Sequence, residues 1–167
     1  MFDRRMGFAA LERVGVMRFY FALLLSVFAC CASAAENQQR VIVVVGAAGS
    51  SEFEQPFQQW AGRWVDAAKR GQAQCDLLGN ETEAEPTKER LRTLLKQQGE
   101  NSTQPLWLVL IGHGTFDGKT ARFNLKGPDI SAAELKEMLA PCTGPTAVIN
   151  CSASSGPFLG ELAAPQR

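Results

Sequence analysis

The chain alternates between short unbroken apolar runs and longer stretches whose apolar positions recur every three or four residues. The runs are Val41-Ile42-Val43-Val44-Val45, Leu106-Trp107-Leu108-Val109-Leu110-Ile111 and Thr146-Ala147-Val148-Ile149, the composition of strands covered on both faces of a sheet. After the first run, Phe57, Trp60, Ala61, Trp64, Val65 and Ala68 follow helical spacing up to a stop at Gly71. That spacing predicts an amphipathic helix with Trp60 and Trp64 in the core, while Trp107 fills a face of its strand. Gln74 to Leu78 reads as a short strand, and Glu85-Pro86 opens a helix that turns Leu91, Leu94 and Leu95 inward and ends at Gly99. Asp117-Gly118 is a hairpin signal between short segments reaching Phe123-Asn124-Leu125. Ser131 and Glu134 form a capping box for a helix through about Leu139, and a last helix begins near Ser154 or Ser155.

The resulting order is strand, helix, strand, helix, strand, hairpin excursion, helix, strand, helix. Such alternation predicts an α/β fold, a three-layer α/β/α sandwich around a mainly parallel sheet of about four strands. With 167 residues, 46% of them hydrophobic and 20% charged, the chain suits one globular domain once a processed segment is removed. Lysine plus arginine and aspartate plus glutamate stand at 17 each, so no net field favours nucleic acid or an anionic membrane as a partner.

The amino terminus reads as a targeting segment. Arg18 precedes the apolar run Phe19 to Phe28, and Ala32-Ser33-Ala34 supplies the small residues read by a signal peptidase. The expected division is a signal peptide over 1–34, with Met17 as an alternative start, and an exported domain over 35–167. The run falls short of the about 20 residues a membrane span requires, which favours export over a retained anchor, and the mature chain is expected to hold no span. The competing reading takes Val27-Phe28-Ala29-Cys30 as a lipoprotein signal with Cys30 acylated. Export leaves Cys75, Cys142 and Cys151 in the mature domain, an odd number, and any single disulfide is expected to leave Cys151 out.

Two of the apolar runs end in a reactive residue. Ile111 leads into Gly112-His113-Gly114 and Ile149 into Asn150-Cys151-Ser152, and open α/β sheets carry their chemistry at the carboxyl ends of strands. His113 is the sole histidine of the chain, and Cys151 precedes a turn of small residues, Ser152-Ala153-Ser154-Ser155-Gly156, ahead of the last helix. A helix amino terminus and an imidazolium would both stabilise a thiolate there. The backbone amides of Gly114 and Cys151 are the expected oxyanion donors. No cofactor and no metal are expected, because zinc would want further nitrogen or sulfur ligands and the other cysteines lie elsewhere. Gly46-Ala47-Ala48-Gly49-Ser50 reads as a structural turn, because Glu52 stands where a dinucleotide fingerprint needs glycine and the Walker lysine is absent. Asp117, Asn124 and Asp129 read as turn residues or stay unassigned. Ser152 and Ser154 lack the Gly-x-Ser-x-Gly elbow of a serine esterase.

The blocks Leu108-Val109-Leu110-Ile111-Gly112-His113-Gly114 and Ala147-Val148-Ile149-Asn150-Cys151-Ser152-Ala153-Ser154-Ser155-Gly156 resemble those of the caspase and legumain superfamily of cysteine peptidases, clan CD, nearest its legumain-like branch. The resemblance implies hydrolysis of peptide bonds in a peptide or protein substrate through an acyl-enzyme. Cys151 would be the nucleophile, His113 the proton shuttle, and Gly114 with Cys151 the oxyanion donors. The alternative is a non-catalytic caspase-like binding or assembly module. Members of that superfamily continue past the cysteine helix with further strands, so the 16 positions after Cys151 imply an incomplete catalytic domain.

Overall fold

A computed structural model describes residues 39–79, 85–101, 103–165 and 167. The chain divides into Met1–Asn37 and Gln38–Arg167, and the signal peptide, its alternative start and the Cys30 anchor all lie outside the described residues.

The apolar runs pair as expected. Strands β1 (Arg40–Val45), β2 (Gln74–Leu78), β3 (Leu106–Ile111) and β7 (Thr146–Asn150) form one four-stranded sheet in the order β2-β1-β3-β7, and every pairing is parallel. Successive side chains on a strand point to opposite faces, and the core divides accordingly. Val41, Val43, Val45, Val109 and Ile111 pack on one face with Phe57, Ala61 and Ala68 of helix α1 (Ser51–Arg70). Ile42, Val44, Leu106, Leu108 and Leu110 pack on the other. There they meet helices α2 (Thr87–Asn101), α3 (Ala132–Leu139) and α4 (Gly156–Leu162) through residues such as Leu91, Leu135 and Phe158. The architecture is the expected α/β/α sandwich. No helix among the described residues is long and apolar enough to cross a membrane.

The excursion after β3 is larger than a hairpin. Strands β4 (Gly114–Phe116), β5 (Ala121–Phe123) and β6 (Ile130–Ser131) make a separate antiparallel sheet. Asp117 closes the β4–β5 turn by accepting the amides of Lys119 at 3.0 Å and Thr120 at 2.7 Å, and Gly118 supplies the φ of +87° that the turn requires. The Ser131–Glu134 capping box forms with both of its hydrogen bonds.

Three expectations fail, each for a physical reason. Trp60 is 45% exposed, because the stripe that reaches the sheet runs through Phe57, Ala61, Trp64 and Ala68 and leaves position 60 on its flank, where its ring meets that of Phe57. Trp107 stands at the amino rim of the sheet, 37% exposed, with its indole N–H on Gln39 Oε1 at 3.1 Å. Helix α2 runs past Gly99 to Asn101, since Gly99 marks a close approach to Pro141, where any side chain would collide, and is no helix stop.

Candidate active site

The site is built where the carboxyl ends of β1, β3 and β7 meet the small antiparallel sheet. Phe123, fully buried, slides its ring beneath this rim, and carbons added to Gly46 or Gly112 would each lie 3.0 Å from its Cζ. Glycine at both exits lets the two backbones settle onto that ring. Backbone bonds then join the parts: Gly46 N–H donates to Ile111 O at 2.8 Å, Ala47 N–H to Asn124 O at 3.0 Å and Asn124 N–H to His113 O at 3.0 Å. Asn124 therefore serves as a brace between the two strand exits. The Gly46–Ser50 segment joins β1 to α1 and has a further role.

That role concerns His113. Its Nε2 lies 3.1 Å from the carbonyl oxygen of Ala48. A carbonyl only accepts, so this contact requires the proton on Nε2 and leaves Nδ1 as the basic nitrogen. The half-buried ring is also held edge-on by Phe53, at 4.6 Å between centroids, and by Phe57 at 5.2 Å. Both phenylalanines come from the first turns of α1, so His113 points to the α1 face, the same side as Ile111 two residues earlier. The acceptor Ala48 escapes sequence reasoning because its contribution is a backbone atom, which any residue type supplies.

Cys151 extends β7 by one rung. Its amide donates to Leu110 O at 2.9 Å, continuing the ladder in which Leu110 pairs with Asn150. The thiol-bearing residue is exposed, and pleat alternation aligns it with Ile149, which packs against the α1-side core. Register thus brings His113 and Cys151 to the same rim of adjacent strands and to the same side of the sheet.

Two supports expected for this pair are absent. The Cys151 amide is committed to Leu110, so it is no free oxyanion donor. The helix dipole does not reach the thiol either, because α4 starts at Gly156, five positions on, and the effect fades within a turn. The Gly114 amide is better placed. Neighbouring pairs of an antiparallel ladder alternate between bonded and unbonded, and the bonds Asn124 N–H to His113 O and Asp117 N–H to Thr120 O make Gly114–Phe123 an unbonded pair. The Gly114 N–H accordingly faces away from β5.

The remaining candidates are structural. Asp117 is paired with Arg122 at 2.9 Å, and that hydrogen bond, with those from Thr120 and Lys119, holds its carboxyl down at about 2. Asp129 accepts the amide of Leu125 at 3.0 Å. Cys75 packs on the α1 face and Cys142 on the opposite one, both free, and burial pushes both thiols above the ordinary value of 9.0. Among the described residues, no three His, Cys, Asp or Glu side chains converge to hold a metal. A groove of about 320 Å³ opens on the far side of β7, between Val148, Asn150, Phe158, Leu159 and Leu162. No protein-family model matches the chain, and no curated protein matches it in sequence.

Proposed function

We propose that this chain is a cysteine-type peptidase domain of the caspase and legumain kind, exported, whose reaction runs through Cys151 and His113. One observation carries the reading: a histidine whose Nε2 rests on a backbone carbonyl and an exposed cysteine share one rim of adjacent parallel strands. In the reaction, His113 Nδ1 takes the thiol proton and Cys151 Sγ bonds to the substrate carbonyl carbon. The Gly114 amide faces the developing oxyanion. Collapse of the tetrahedral intermediate breaks the carbon–nitrogen bond as Nδ1 returns the proton to the departing amine. Water then attacks the thioester, giving its proton to Nδ1, and the acid product leaves with the thiol restored. The Ala48 carbonyl holds the ring through both halves and stabilises the imidazolium between them.

The test is hydrolysis of a mixed peptide library by the purified chain and two variants. Cys151→Ala is expected to abolish turnover, and His113→Ala to lower it by about 100- to 10,000-fold, the range of a general acid–base group. Equal rates in wild type and both variants would overturn the reading, as would a wild type no faster than Cys151→Ala, the behaviour of a binding module.

A further inference from the structure

Ser152, the residue after Cys151, has no role so far, and it touches Gly114, the residue after His113, of which only the backbone amide has been given one. A side-chain carbon built on Gly114 would lie 2.7 Å from Ser152 Oγ and 3.1 Å from Ser152 Cβ, so the serine side chain occupies the space that any side chain at position 114 would need. The other wall of that space is the Arg122 carbonyl, at 3.2 Å.

Ser152 is 6% exposed, and its hydroxyl is buried without a hydrogen-bond partner. A buried hydroxyl in that state contributes no bonding and costs free energy, which leaves its shape as what it supplies. It is also firmly held. Asn150 Oδ1 accepts the Ser152 amide at 3.0 Å, bridging across Cys151, while the Cys151 amide is fixed to Leu110. Cys151 therefore sits between two anchored points, and Ser152 bears on the strand exit that carries His113.

We infer that Ser152 and Gly114 form a spacer that sets the distance between Cys151 and His113, making Ser152 a positioning residue for the dyad. This rests on the peptidase reading. Nearest-neighbour contact between the two exits fixes the reacting groups more tightly than either strand alone, and a misplacement of about 1 Å at such a site costs up to about 100-fold in rate.

The experiment measures acetylation of Cys151 by p-nitrophenyl acetate in the full chain, with the Cys151→Ala rate subtracted. The thiolate bonds to the acetyl carbon and p-nitrophenolate leaves, so release of the phenolate reports the step. Ser152→Gly, which empties the spacer, is expected to slow acetylation about tenfold. Gly114→Ala, which overfills it, is expected to slow it by about tenfold to 100-fold. Gly114→Ala/Ser152→Gly restores the filled volume from the opposite side and is expected to outperform both single variants, as volume-conserving exchanges do. In a His113→Ala background Ser152→Gly is expected to have no further effect, because a positioning residue acts through the group it positions. If Gly114→Ala fails to fold, Ser152→Gly and its His113→Ala combination decide alone.

Multiplying effects in the double variant, a full-sized Ser152→Gly loss without His113, or unchanged single variants would each overturn the spacer. His113→Ala acetylating at the wild-type rate would instead overturn the peptidase reading beneath it.

Discussion

The two ends of the same four strands are finished in opposite ways. At the amino end, Arg40 is buried and sends Nε and Nη2 to Asp76 Oδ2, both at 2.9 Å. Its amide reaches Pro105 O, Gln74 N–H reaches Gln39 O and Leu106 N–H reaches Pro145 O. The indole of Trp107 closes on Gln39. At the carboxyl end, the Asn150 Nδ2 and Ser152 Oγ atoms are buried without partners, a thiol is exposed, and glycines replace side chains at three strand exits. Each unsatisfied group costs about 1–3 kcal/mol. One rim is built for stability, then, and the other gives up stability where chemistry is proposed.

The sharpest way to break this contrast is to remove what supports the open rim. Phe123 is the buried ring on which Gly46 and Gly112 rest, so Phe123→Ala is expected to destabilise the fold by about 3–5 kcal/mol, read by urea denaturation. It is also expected to cut peptide hydrolysis, because the Gly46–Ser50 turn that holds His113 through Ala48 loses its footing. A loss below about 1 kcal/mol would mean that the rim does not depend on this ring.

The closed rim has its own test. Asp76→Ala leaves the Arg40 guanidinium, with its side chain 9% exposed, without its carboxylate. Removing one partner from a buried ion pair costs about 3–5 kcal/mol, and the 22% exposure of the Asp76 side chain reduces the expectation here to about 2 kcal/mol. Cys151 acetylation in the folded variant is expected to stay at the wild-type rate. An equal loss at the far end would show the two rims to be coupled and the contrast to be superficial.

Much of this organisation is legible in the residues. Val41 to Val45 without a polar position, the Ser131–Glu134 spacing and Asp117-Gly118 each specify local geometry through side-chain chemistry, and all three form as expected. Apolar runs ending in Gly-His-Gly and Asn-Cys-Ser also indicate which rim to inspect. What escapes is carried by backbone atoms or by the absence of side chains. The Ala48 carbonyl on His113, the Leu110 carbonyl that occupies the Cys151 amide and the Gly114–Ser152 contact depend on which exits meet in space, and residue type encodes none of them. Trp60 escapes for a different reason: a helical period gives the direction of a stripe and says little about how wide a face the sheet will cover.

The thiols sharpen the contrast further, because two belong to the closed half of the molecule and one to the open rim. Burial is the leading cause that raises the Cys75 and Cys142 thiols above 9.0, so each is less thiolate at neutral pH than an ordinary cysteine and gains reactivity only as the pH climbs past that value. Asp76 beside Cys75 acts in the same direction. Cys151 is exposed. Iodoacetamide at pH 7 is expected to label it at least about tenfold faster than the other two, as measured by peptide mass mapping. Equal labelling would remove the thiol from the argument for an open rim.

The smallest expected effect carries the opposite sign. Ser152→Ala deletes a buried hydroxyl that has no partner and keeps the Cβ that faces Gly114. Replacing an unsatisfied polar group by an apolar one of similar shape relieves its desolvation cost, so the variant is expected to match the wild type or exceed it by up to about 1 kcal/mol in thermal or urea unfolding. No comparable gain is available at the amino rim, where Arg40 and Asp76 satisfy each other and any truncation removes a bond. A loss above about 1 kcal/mol in Ser152→Ala would mean that the hydroxyl is bonded in solution. The carboxyl rim would then be as fully satisfied as the amino rim, and stability would no longer tell the two ends apart.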